Sequence, residues 1–110
     1  MANNFFVDND LILAMQSGDK DGIYRGLIHS GAIYRTNAII HTVKHKILND
    51  SIISEIRELT KDGVSLMGVY KVSDFAIAAL ALLGIEKYYG DDEIILNLIN
   101  SNFNFYDKHN

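Results

Sequence analysis

His41 and His45 stand one helical turn apart in His41-Thr-Val-Lys-His45, a spacing at which two imidazoles can share a zinc ion. No glutamate lies between them, so the His-Glu-x-x-His arrangement of metalloproteases is missing, and Lys44 sets a positive charge beside the pair. They are expected to be solvated or to face a partner, and no metal or cofactor site is expected. Asp91, Asp92 and Glu93 are the densest carboxylate cluster, but they fall where a helix N-terminus favours negative charge. Glu55 and Glu58 share a helix with Arg57 and Lys61 and read as a solvated face. Ser51, Ser54, Ser65 and Ser73 sit in no nucleophile-elbow context, and Gly63, Gly68, Gly84 and Gly90 are too dispersed for a phosphate loop. The absence of cysteine removes disulfides and thiol chemistry. An enzyme is therefore not expected.

Binding is the better use of the chemistry present. The chain carries a net charge of −4, yet Gly22 to Asn49 contains no acidic residue and carries Arg25, Arg35, Lys44 and Lys46. The flanking stretches are all acidic, a separation able to steer a partner of opposite charge. Tyr24, Arg25 and His29, followed by Tyr34, Arg35, His41, Lys44 and His45, form the candidate partner-binding face, because aromatic rings and arginine are common interface anchors. Tyr24 has the alternative of packing inward beside Leu27 and Ile28. Charge reversal of Arg25 and Arg35 is expected to weaken partner capture without unfolding the chain. Tyr70 and Lys71, followed by Asp74, make a second candidate patch in a connector that is either functional or a lid over the core.

These residues need helices to position them. Hydrophobic residues make up 48% of the 110 positions, enough for one folded domain over residues 1–110. The uncharged run from Phe75 to Ile85 predicts the central helix of an all-α core; it is well short of the roughly 18 residues of a membrane span. No signal-peptide pattern opens the chain, so the expected location is cytoplasmic and no membrane partner is expected. Asn9-Asp10, Asp19 or Asp21, Asn49-Asp50 and Ser73-Asp74 offer helix caps. The third helix, from about Tyr34 to Leu48, is predicted to bury Thr36, Ile39, Ile40, Val43 and Ile47, leaving Tyr34, His41 and His45 opposite. Residues 64–72 are predicted to form an ordered connector, since a lone strand there has no evident partner. The 75–85 helix is extended in this reading through Tyr89. A last helix holds Ile94, Ile95, Leu98 and Ile99, and Phe103, Phe105 and Tyr106 are expected to anchor the tail.

A faint repeat completes the architecture. Ala38 to Ile47 lies over Ala76 to Ile85 at an offset of 38, and Ser51-Ile-Ile over Glu93-Ile-Ile at 42, close to the period of about 40–47 residues of stacked helical pairs. Asn37-Ala-Ile-Ile with Asp50-Ser-Ile-Ile-Ser-Glu-Ile, then the 75–85 run with Asp92-Glu-Ile-Ile-Leu-Asn-Leu-Ile, resembles the HEAT or armadillo-like superfamily over about residues 34–100. The proline expected near a first-helix bend is absent and 63–72 exceeds a regular turn. The resemblance therefore implies a small irregular array of stacked antiparallel helical pairs, five to six helices in all. It further implies protein binding, and compact helical repeats also resemble some bacterial immunity proteins, which bind and neutralise a toxin. The leading expectation is a non-catalytic protein-binding module of that type. The alternative is nucleic-acid binding through the basic 25–46 block, where phosphate contacts would weaken with salt.

Overall fold

The computed structural model of the chain describes residues 8–66 and 68–101. Six helices form a small irregular array of packed pairs, in the order α1 (Asn9–Gln16), α2 (Lys20–Leu27), α3 (Ala32–Lys44), α4 (Asp50–Leu59), α5 (Val72–Leu82) and α6 (Ile94–Asn100). The caps follow from short polar side chains that accept orphan N–H groups. The Asp8 carboxylate accepts from Leu11 N, Asp19 from Gly22 N and Asn49 from Ile52 N, at 3.0–3.1 Å. The first of these lies one residue ahead of the expected Asn9-Asp10.

Helix ends are equally local in origin. After α1, Asp19 N donates to Ala14 O and Gly18 N to Met15 O, with Gly18 at φ +80°. This Schellman pattern recurs after α5, where Ile85 N reaches Leu80 O and Gly84 has φ +75°. Gly84 thus stops α5 at Leu82, short of the extension to Tyr89. The same pattern closes α3, with Ile47 N on Thr42 O, but the left-handed residue there is Lys46 at φ +51°. Lys46 and Gly84 are 38 positions apart, so the sequence repeat corresponds to a shared way of ending two core helices.

The core lies around α3 and α5. Thr36 to Val43 are buried without interruption on α3, and on α5 Val72, Phe75, Ala76, Ala78, Ala79 and Leu80 are all at most 1% exposed. The apolar 75–85 run therefore does occupy the centre of the array. Burial of α3 on nearly every side is a difference from the amphipathic helix expected, and it places His41 inside the protein rather than on the outer face. The reason is that α3 is packed by α1, α2, α5 and α6 together. Within the array α4 packs chiefly on α2 and α5, rather than on α3 as the sequence repeat pairs it. Close approach of α2 to its neighbours depends on Gly22 and Gly26, one turn apart. A Cβ at Gly22 would lie 2.5 Å from Ala14 Cβ, and one at Gly26 would meet Met15 Sδ and lie 2.9 Å from Ala38 Cβ.

The connector between α4 and α5 supplies its own strand partner. Strand β1 (Ser65–Leu66) pairs antiparallel with β2 (Tyr70–Lys71), Ser65 opposite Lys71 and Leu66 opposite Tyr70, with Gly68 at φ +74° in the turn. Leu66 is buried, which anchors this minimal hairpin to the helices. The expected anchors Phe103, Phe105 and Tyr106 lie outside the described residues.

Candidate functional site

The basic candidates divide into groups with different surroundings. Arg35 is held at the centre of a bonded knot: its Nε donates to Asp62 Oδ2 at 2.8 Å, and its Nη1 donates to the carbonyls of His29 (2.9 Å) and Ser30 (2.8 Å). Both side chains of the ion pair are largely buried, 13% and 14% exposed. Asp62 Oδ1 also accepts from Val64 N, and the Asp62 carbonyl accepts from Ser73 N. One guanidinium thus ties the α2–α3 loop to the start of the hairpin connector and, through Asp62, to α5. Charge reversal at Arg35 would set two carboxylates together, so this geometry argues for a loss of stability beside any loss of partner capture.

His29 and Tyr34 belong to the same knot. Their rings stack at 4.1 Å, Gly31 N donates to His29 Nδ1 at 2.8 Å, and Tyr34 Oη accepts from Asp8 N at 2.8 Å. Acceptance at Nδ1 assigns the proton of the neutral ring to Nε2. Tyr24 packs against the core, and Lys44 is half-buried. Arg25 is exposed and pairs with Asp21 one turn away at 3.0 Å. His45 is exposed with its Nε2 3.0 Å from Gln16 O, its ring lying over Gly18. The structure therefore brings His29, Tyr34 and Arg35 together, leaves Arg25 apart on α2, and sets His45 at the α1–α2 turn.

His41 differs from all of these. It is 5% exposed, its Nδ1 has no hydrogen-bond partner, and its pKa is lowered to about 4 by burial first, then by the charges of Lys44 and His45. His41 and His45 ring centroids are 6.1 Å apart, but no group of three or more His, Cys, Asp or Glu suited to a metal occurs among the described residues. Asn37, one turn before His41, is fully buried with neither end of its amide bonded.

The second patch is larger than the sequence indicated. Tyr70 and Lys71 on β2, Asp74 on α5, and Tyr88, Asp91 and Asp92 from the α5–α6 loop line one groove of about 280 Å³. The Asp74 carboxylate caps α5 by accepting from Lys71 N at 2.8 Å. Tyr70 packs edge-on against Phe75, with ring centroids 5.9 Å apart, and its hydroxyl donates to Asp92 Oδ2 at 3.1 Å. Asp92 Oδ1 accepts from Ile94 N at 2.9 Å, so this carboxylate is oriented from both sides. Tyr88 folds back on its own loop, its hydroxyl donating to Asp92 O at 2.7 Å and accepting from Asp92 N at 3.3 Å. Gly90 makes that fold-back feasible, because a Cβ there would lie 2.5 Å from Tyr88 Oη.

Electrostatics set the groove apart. Among the described residues no lysine or arginine lies within ion-pair distance of Asp74, Asp91 or Asp92. Both phenols have raised pKa values. Desolvation is the first cause in each; Asp92 and Asp74 add to it, with Asp91 also acting on Tyr88, where the backbone hydrogen bond of Asp92 opposes the shift. Val69, 73% exposed, lines one side of the groove, and exposed Ile94 stands in sequence beside buried Ile95 on its floor. Sequence reasoning found Tyr70, Lys71 and Asp74, and its reading of Asp92 as serving the last helix's N-terminus agrees with the bond from Ile94 N, but it did not join Asp91 and Asp92 to the patch and it missed Tyr88. The available signal was Tyr88-Tyr-Gly-Asp-Asp92, aromatic rings beside acids around a glycine.

No family model, curated protein or solved structure matches the chain. No helix among the described residues is long and apolar enough to cross a membrane.

Proposed function

We propose that this chain is a non-catalytic protein-binding module, with an immunity-type inhibitor of a toxin as its most concrete form. The carrying observation is the groove at β2 and the α5–α6 loop, where two tyrosines meet three carboxylates that have no cationic partner among the described residues. Tyrosine gives large contact area at small entropic cost, and the solvent-facing carboxylates beside it confer partner choice through charge complementarity. The oriented Asp92 carboxylate and the glycine-dependent loop preform this surface, which reduces the ordering cost of association.

Nucleic-acid binding draws less support. Of the basic block, Arg35 is spent on Asp62 and two carbonyls, His41 is buried and neutral near pH 7, and Arg25 is paired with Asp21. The test is affinity capture from the native host at two salt concentrations, with both protein and nucleic acid analysed, followed by reconstitution from purified components. A defined stoichiometric complex with one protein, retained at high salt, is the expected result. Salt-labile nucleic acid as the only captured species would overturn the reading.

A further inference from the structure

We infer that the groove between β2 and the α5–α6 loop receives a guanidinium or ammonium side chain from a basic segment of a protein partner. This rests on the protein-binding reading above and names the chemistry its site would take. Three features of the groove converge on that occupant. Its charge is the first: Asp74, Asp91 and Asp92 face a cavity to which Lys71 contributes the one cation, and Lys71 pairs with none of them. The second is its walls. Tyr70 and Tyr88 present aromatic surface beside the carboxylates, a combination that holds a cation by ring quadrupole and charge together. Its size is the third, since about 280 Å³ lies below the roughly 300–1,000 Å³ typical of small-molecule sites and suits one long side chain.

The carboxylates are also held in place before any ligand arrives. Asp92 is gripped by Ile94 N and the Tyr70 hydroxyl, while Asp74 is fixed by Lys71 N, leaving each oxygen set with acceptor capacity for an incoming N–H group. Exposed Val69 at the side gives the flanking residues of a bound segment an apolar contact.

The probe is acetyl-Gly-Arg-Gly-Arg-Gly-amide, titrated into the full chain and followed by NMR at Tyr70, Tyr88 and Gly90, with the citrulline peptide as neutral isostere. Arginine peptide is expected to shift these three residues saturably, with citrulline binding at least about 10-fold weaker. The D74N/D91N chain is expected to lose at least about 10-fold in affinity; asparagine at 74 keeps the carbonyl that caps α5, so folding is preserved. Shifts confined to other surfaces, equal binding of the citrulline peptide, or unchanged affinity in D74N/D91N would each overturn the inference. A reconstituted host protein that binds wild-type and D74N/D91N chains equally would sink the groove and leave the protein-binding reading standing. If no host protein forms a defined complex, that reading fails and the groove inference fails with it.

Discussion

The shoulder formed by the basic candidates from Arg25 on α2 to His45 at the end of α3 and the groove at β2 carry opposite charge, but their more instructive difference is where that charge is spent. At the shoulder Arg25 and Arg35 are answered by Asp21 and Asp62, and one ring nitrogen each of His29 and His45 meets a backbone group. At the groove Asp74 and Asp92 do accept hydrogen bonds, yet these orient the carboxylates without neutralising them. A charge consumed by the fold and a charge held ready look alike in sequence. They are distinguished by whether a counter-ion reaches them.

The sharpest way to break this comparison is to remove Arg35. Its deletion strips the partner from largely buried Asp62 and frees the His29 and Ser30 carbonyls, so Arg35→Ala is expected to cost about 3 kcal/mol. For a domain of this size that is a fall of roughly 15 °C in thermal midpoint, readable by circular dichroism. A loss below about 0.5 kcal/mol would mean that Arg35 is a surface charge after all, and would return the shoulder to candidacy as a binding face.

How much of this was legible follows from the same physics. The all-α class, the six helices and the central place of residues 75–85 were readable because caps and apolar runs act locally. The fate of α3 was not. Its sequence gives a stripe, and only the packing of α1, α2, α5 and α6 around it turns His41 and Asn37 inward. The hairpin was unreadable for a different reason: each strand is two residues long, and its partner lies four positions away in the same connector. Arg35 and Asp62, 27 positions apart, gave no pattern by which either could be known as the other's partner. In the groove, Tyr70 and Asp74 were legible as an odd patch, but their meeting with Tyr88 and Asp92 depends on the turn back after Gly84.

A second prediction concerns His41, the buried titratable residue of α3 whose Nδ1 has no hydrogen-bond partner. The folded pKa of His41 is about 4, below the ordinary 6.5, so between these values the unfolded chain takes up a proton that the native protein refuses. Its contribution to stability is complete above pH 6.5 and is lost progressively as pH falls towards 4. Lys44 and His45 act on the imidazolium in the same direction as burial. Urea unfolding of wild type and His41→Leu should diverge by on the order of 1–2 kcal/mol between pH 7 and pH 4.5, after discounting for residual solvation. Parallel pH profiles would count against a neutral buried imidazole.

Lys46 sharpens the contrast on a smaller scale. It holds a left-handed conformation at the end of α3, where the repeat places Gly84 at the end of α5. Lys46→Gly relieves the Cβ strain while keeping the Ile47-to-Thr42 closure, and is expected to stabilise by about 1 kcal/mol. An unchanged or lowered urea midpoint would imply that the lysine side chain does more for the fold than its backbone strain costs. Partner capture should survive this substitution, because the charge removed lies outside the groove.

The smallest effect is expected at Asp91, and it decides whether the groove's acidity serves the fold. Asp92 already supplies the carboxylate that accepts from Ile94 N, whereas Asp91 is exposed and its side chain makes no hydrogen bond among the described residues. Asp91→Asn removes one charge from a site where carboxylates crowd with no ion pair among the described residues, so lost helix-end attraction and relieved repulsion oppose each other. The net change in unfolding free energy should stay within about 0.5 kcal/mol. A larger destabilisation would place Asp91 with Arg35, as a charge the architecture consumes; a near-zero value leaves it as surface chemistry retained for something outside the chain.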